Sequence, residues 1–134
     1  MESLEKNILD YSSLDLAYLG DAIWELEVRK YFLRYGYKIN KLNKCVKMNV
    51  NAISQSKFLK IIFDELSDSE KQIVKRAKNS NIKSFPKSCS VYEYKEATAF
   101  EALIAYLYIN KEYAKIQNII LKCLKGESNN YETA

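Results

Sequence analysis

Only three glycines and one proline are spread over 134 residues, and a chain so poor in turn residues cannot make the many tight reversals of a β-rich fold. It must run instead in long segments with short connections, which predicts an all-α fold. The length suits one hydrophobic core and is too short for two comfortable ones. A single domain over residues 1–134 is therefore expected, with its core from about 10 to about 125.

The spacing of apolar residues agrees with helices rather than strands. Leu16, Leu19, Ile23, Leu26, Tyr31 and Leu33 predict a first long helix from Ser13 to about Tyr35, capped by Ser12 or Ser13 and stopped at Gly36. A second helix is expected across residues 40–66, with Val46, Val50, Ile53, Phe58 and Ile61 facing the core. Ser67 and Glu70 stand three apart as in a capping box, so a short helix starts there. The polar stretch "NSNIKSFPKSCS", which holds the lone Pro86, reads as a loop. Further helices are expected from about Tyr92 to Ile109 and, after a break at Asn110, through about Lys125, and "GESNNYETA" reads as a frayed tail.

Composition narrows the chemistry. The chain has no histidine, which removes the commonest general base and any Ser-His or Cys-His nucleophile system. Cys45, Cys89 and Cys123 are odd in number and far apart, with no C-x-x-C pair. They read as plain buried or partly exposed thiols rather than zinc ligands. Catalysis in such a chain must rest on carboxylates, lysines, tyrosines, thiols or a metal. The net charge of +4 fits an anionic partner. No apolar run reaches the about 18 residues of a membrane span, and "MESLEKNILDYSS" lacks the layout of a secretion signal. A soluble, cytoplasmic protein with no membrane partner is expected.

Two acids stand where apolar residues belong. Asp21 follows Gly20 inside "LAYLGDAIWELEVR", and Glu101 interrupts the apolar run of "ATAFEALIAYLY". A carboxylate in a packed helical face costs several kcal/mol unless a cation or hydrogen-bond donors meet it. Two such acids on separate helices can answer each other if they converge on a shared Mg²⁺, which takes hard oxygen ligands and keeps several waters. That arrangement points toward phosphodiester hydrolysis. Periodicity alone also allows a plainer reading, in which Asp21 is exposed on a helix kinked at Gly20 and Glu101 pairs with Lys95 or Arg29. Glu25 is a further possible ligand, yet it stands four residues before Arg29 in the favourable acid-first order, which suits an ion pair better.

Together the two stretches resemble a known family. "LAYLGDAIWELEVR" is similar to the ribonuclease III signature helix, and "ATAFEALIAYLY" to that domain's second acidic motif. The chain most resembles the Mini-III ribonucleases, which have the helical catalytic domain and no attached double-stranded-RNA-binding domain. "NVNAISQSKFL" and "KRAKNSN" are also similar to that group. The resemblance implies an all-α, ribonuclease III-type endonuclease domain acting as a homodimer, with Asp21 and Glu101 as catalytic metal ligands in each subunit. Full-length ribonuclease III has two further acids, at the positions that hold Ala17 and Thr98 here. The Mini-III pattern shares that departure, which leaves the number of metal ions open. Ala105 is a smaller departure, standing where the relatives usually have glycine.

The resemblance further implies cleavage of double-stranded RNA to 5′-phosphate and 3′-hydroxyl ends. Its place would be maturation of the large-subunit (23S) ribosomal RNA precursor, with a ribosomal protein or pre-ribosomal particle as a further partner. Lys71, Lys75, Arg76, Lys78, Lys83 and Lys87 crowd one short region. Such a cluster is often only a solvated helix face. In a nuclease, Lys75, Arg76, Lys78, Asn79 and Lys87 become the RNA-binding set, with Asn81 and Ser84 adding hydrogen bonds. Phosphate contacts of this kind carry salt dependence and little sequence reading. Tyr92, Tyr94, Tyr106, Tyr108 and Tyr113 read as packing residues with buried rings, and in the relatives the helix bearing Tyr18 and Trp24 helps to form the dimer contact. The alternative is a ribonuclease III-like domain that has lost catalysis and serves as an RNA-binding or ribosome-associated scaffold, a reading that Ala17 and Thr98 keep open.

Overall fold

The computed structural model describes residues 8–82 and 84–125, apart from the side chain of Leu9. Lys83 and the stretch 126–134, expected to be a frayed tail, lie outside the described residues. Six α-helices succeed one another: α1 (Ser13–Leu33), α2 (Ile39–Lys47), α3 (Ala52–Ile62), α4 (Asp68–Lys78), α5 (Val91–Ile109) and α6 (Tyr113–Leu124). There is no strand among the described residues. None of these helices is long and apolar enough to cross a membrane.

Local chemistry accounts for the helix ends. Ser12 caps α1 by accepting from the Asp15 amide, and Gly36 supplies a φ of 69° in the turn after the helix. Ser67 and Glu70 close a capping box at α4, and Ser90 and Glu93 close a second at α5. The expected helix over 40–66 is instead two helices. Asn51 stops and restarts the chain, its side chain accepting from the Ser54 amide at 2.9 Å. The break re-phases α3, so Phe58, Leu59 and Ile62 face inward while Ile53 and Ile61 are exposed. Leu26 and Leu33 also point outward, and the inner face of α1 carries Leu16, Ile23, Trp24, Val28 and Phe32. Tyr92, Tyr108 and Tyr113 are exposed as well, each half open to solvent at the protein surface rather than buried.

Helix α5 runs through the middle, packed by α1, α3 and α4 and, at its end, by α6. It is buried nearly all round, as a central helix must be. Ala97, Ala99, Ala102 and Ala105 keep it slim, so its neighbours approach closely. Trp24 of α1 meets Phe100 of α5 edge-on at 4.7 Å and Phe58 of α3 at 5.7 Å. Its indole N–H donates to the Asn49 carbonyl at 2.8 Å, which anchors the α2–α3 connection on α1. Trp24 is thus fully buried and absent from any surface.

The tightest helix contact is at Gly20. A Cβ placed there would lie 1.8 Å from the Glu101 carbonyl oxygen and 2.6 Å from its carbonyl carbon. Both are backbone atoms of α5, so nothing flexible can move aside. Gly20→Ala gains about 1 kcal/mol of helix propensity, and overpacking of this kind costs about 1–3 kcal/mol or more. With a backbone atom 1.8 Å away the clash should win, and urea denaturation is expected to show a net loss of about 1–2 kcal/mol. Unchanged stability would mean that α1 and α5 separate freely.

Candidate active site

The Gly20 contact decides where the two acids go. With the backbone of α1 pressed against Glu101, the next residue, Asp21, stands at the edge of the α1–α5 crossing. Asp21 is exposed and Glu101 half-buried, and their carboxyl groups are within hydrogen-bonding reach. Helix α1 runs unbroken through Gly20. Arg29 is held by Glu25 at 2.6 Å, as the acid-first spacing predicts, so Glu101 does not pair with it. Lys95 lines a different cleft, between α4 and α5.

A third group completes the setting. The Gln55 side-chain amide, from α3, donates to Glu101 Oε2 at 3.5 Å. The three residues line an open depression of about 370 Å³, walled by Leu14, Ala17 and Tyr18 of α1, Val50 and Ala52 around the start of α3, Pro86, and Tyr94, Ala97 and Thr98 of α5. Ala17 and Thr98 therefore face this same space. Thr98 turns its hydroxyl back to the Tyr94 carbonyl at 2.9 Å. No group of three or more histidine, cysteine, aspartate or glutamate side chains able to hold a metal occurs among the described residues.

Burial pushes the Glu101 carboxyl up to about 9, helped by its hydrogen bond to Asp21 and by the charge of that residue, with Gln55 only partly offsetting them. At neutral pH the Glu101 carboxyl consequently keeps its proton, within hydrogen-bonding reach of Asp21. Two acids thus meet in one half-buried cleft, where burial disfavours the ionised form of Glu101. The oxygen donors gathered here are of the hard kind that divalent cations such as Mg²⁺ take.

The basic residues divide into different settings. Lys75 and Asn79 are exposed on α4 and its C-cap, and with Lys71, Lys78, Lys95 and Tyr92 they line a cleft between α4 and α5. Lys78 lies 3.9 Å from the buried Glu96 carboxylate. Arg76 is half-buried, its guanidinium donating to the Tyr11 carbonyl and tying down the segment before α1. Lys87 is exposed in the loop that also contributes Pro86 to the acidic depression. That loop thus connects the basic end of α4 with the acids. All three cysteines are free and buried, as expected of inert thiols.

Neither Gln55 nor Glu96 stood out in the sequence. Gln55 falls on the inward stripe with Phe58, Leu59 and Ile62, which would have marked it as a buried polar residue, but only once the helix break at Asn51 is known.

Comparison with known proteins bears on this geometry. Residues 14–112 match the Ribonuclease III domain. The chain belongs to the ribonuclease III family. Within this family of endoribonucleases it groups with the Mini-III branch. It is 58% identical over 122 residues to a Mini-ribonuclease 3-like protein of Fusobacterium nucleatum, spanning 91% of this chain and 95% of that one. Identity to a Mini-ribonuclease 3 of a Thermoanaerobacter species is 38% over 117 residues, spanning 87% and 82%. The crystal structure of a Fusobacterium nucleatum protein, 56% identical, superposes with a TM-score of 0.85 over 91% of this chain and 98% of that one. The ribonuclease III-type all-α fold is therefore shared in detail.

The raised Glu101 carboxyl links stability to pH. Its folded-state value lies above the unfolded one, so the stabilisation is complete below about 4.5 and is lost as pH rises toward about 9. Metal-free Glu101→Gln should escape that loss. Its Tm at pH 8 is expected to exceed that of the parent by on the order of 5 °C, the shift produced by about 1 kcal/mol in a domain of this size. The advantage should shrink at pH 4.5, and thermal melts at the two pH values check both points.

Proposed function

We propose that this chain is a metal-dependent endoribonuclease of double-stranded RNA, acting in the cytoplasm on the 23S ribosomal RNA precursor, and that residues 1–134 work as one catalytic domain. The observation that carries the reading is the convergence of Asp21 and Glu101 in one open depression, where burial and the neighbouring acid both penalise ionisation of Glu101. A scaffold would be more stable with apolar residues there.

Asp21 and Glu101 would hold Mg²⁺. The ion, when bound, makes water more acidic and offsets charge on the scissile phosphate. Asp21, being exposed, meets the incoming backbone, while Glu101 is held from behind by Gln55. Attack of water on phosphorus breaks the bond to the 3′-oxygen and leaves 3′-hydroxyl and 5′-phosphate ends. No side chain forms a covalent intermediate.

Lys75, Lys78, Asn79 and Lys87, with the uncommitted N–H groups of Arg76, would track the phosphates of the duplex. A-form RNA hides its base edges, so recognition is by shape and charge. An exposed apolar stripe on α1, comprising Leu14, Tyr18 at 86% exposure, Leu26 and Leu33, supports a homodimer. Two subunits would offer two sites for the two strands and pool two weak basic patches. A ribosomal protein or pre-ribosomal particle would present the natural substrate.

Cleavage of a long RNA duplex tests the reading. Mg²⁺ should support cutting, EDTA should stop it, and Asp21→Asn should lower the rate by about two orders of magnitude or more while duplex binding persists. A protein that binds duplex but never cuts it would be the scaffold instead. Lys75→Ala and Lys78→Ala should each reduce the slope of log affinity against log salt by about 1, read from filter binding across a salt series. An unchanged slope would remove the α4 surface from the contact.

A further inference from the structure

Helix α3 presents two consecutive side chains to two acids of α5. Ser56 donates its hydroxyl to Glu96 Oε1 at 2.6 Å, and Gln55 donates its amide to Glu101 Oε2 at 3.5 Å. Gln55 is 2% exposed, Ser56 2% and Glu96 3%. Glu96 is also met by Lys60 of α3 at 3.6 Å and Lys78 of α4 at 3.9 Å. The Glu96 carboxylate is therefore a buried knot between α3, α4 and α5, and it fixes the register of α3 against α5. With that register fixed, Gln55 is delivered to Glu101.

The choice of an amide at this point has a physical logic. A lysine or arginine in the same place would neutralise the acid pair and compete with any cation that the pair could hold. An apolar side chain would leave the Glu101 carboxyl free to rotate. A neutral N–H donor restrains one oxygen of Glu101 and adds no positive charge that would compete with a cation.

We propose that Gln55 is a positioning residue for the acid pair, seated by the Ser56–Glu96 hydrogen bond and holding Glu101 in the orientation that accepts a divalent cation with Asp21. This rests on the metal-dependent reading of Asp21 and Glu101 and adds the group that orients one of them. Outer partners of metal-binding carboxylates typically change affinity by about 10–100-fold when removed.

The test is Mn²⁺ binding to the metal-free protein, monitored by electron paramagnetic resonance, alongside cleavage of an RNA duplex at several Mg²⁺ concentrations. Gln55→Leu, similar in size and apolar, should fold with unchanged or higher Tm, bind Mn²⁺ about tenfold more weakly, and require correspondingly more Mg²⁺. Its KM for duplex should stay the same, and its kcat should recover at high Mg²⁺. Gln55→Lys, whose charge competes, should bind Mn²⁺ more weakly still. A merely structural role predicts that affinity follows Tm and not side-chain charge, so that result would overturn the proposal. Unchanged Mn²⁺ affinity in a folded Gln55→Leu would do the same, and Gln55→Met provides the same comparison if the leucine variant does not fold. Parent protein that cuts, loses cutting in Asp21→Asn and is indifferent to Gln55 would refute this role alone. Parent protein that neither binds Mn²⁺ nor cuts would refute the acid-pair reading and the Gln55 role with it.

Discussion

The missing side chain of Gly20 is the constraint on which the rest of the structure depends. Glu101's carbonyl oxygen occupies the space where a Cβ would be, so α1 and α5 meet backbone to backbone. Large side chains are excluded from that point and displaced to either side. One turn along α1, Trp24 fills the gap with Phe100 and Phe58 and takes up the Asn49 carbonyl. Beside the contact, the exposed Asp21 and the half-buried Glu101 come within hydrogen-bonding reach of each other. A single absent methyl group thus sets both the packing of the core and the distance between the acids.

That placement works against stability. Burial and the nearby charge drive Glu101 to retain its proton up to about 9, so the metal-free fold carries a local electrostatic conflict. Such conflicts in an otherwise consistent core are where function is found. Elsewhere the fold resolves its buried charge. Glu70 is met by Lys115 at 2.9 Å and by its own capping box, and its carboxyl accordingly falls below the usual value despite burial. Glu96 has Ser56, Lys60 and Lys78. The pair facing the open depression is met instead by a neutral amide, that of Gln55.

Much of the architecture was legible in the sequence because its signals are local. The cap at Ser12 or Ser13, of which the structure uses Ser12, the capping box at Ser67, the stop at Gly36 and the break at Asn110 depend on a few neighbouring atoms and could be read in order along the chain. The break at Asn51 escaped because asparagine competes with the backbone equally well inside a helix and at its start. Missing it shifted the apparent phase of α3, and Ile53 and Ile61 were placed inward when they are exposed. Leu26 and Leu33 misled for another reason: an apolar residue at helical spacing marks any covered face, including one left open on the described chain.

By itself the sequence determined the helical class, most helix ends, the exclusion of histidine chemistry, and two acids conspicuous in apolar surroundings. It also carried the family resemblance, because the motifs around those acids lie in order along one chain. Only the tertiary structure decided that Asp21 faces Glu101, that Gln55 reaches the same carboxylate, and that Arg76 is tied to Tyr11 while Lys75 is exposed to solvent. These are meetings between residues tens of positions apart, and no local periodicity encodes them. They arise from how closely two helices can approach, which here is settled where a glycine meets a carbonyl oxygen.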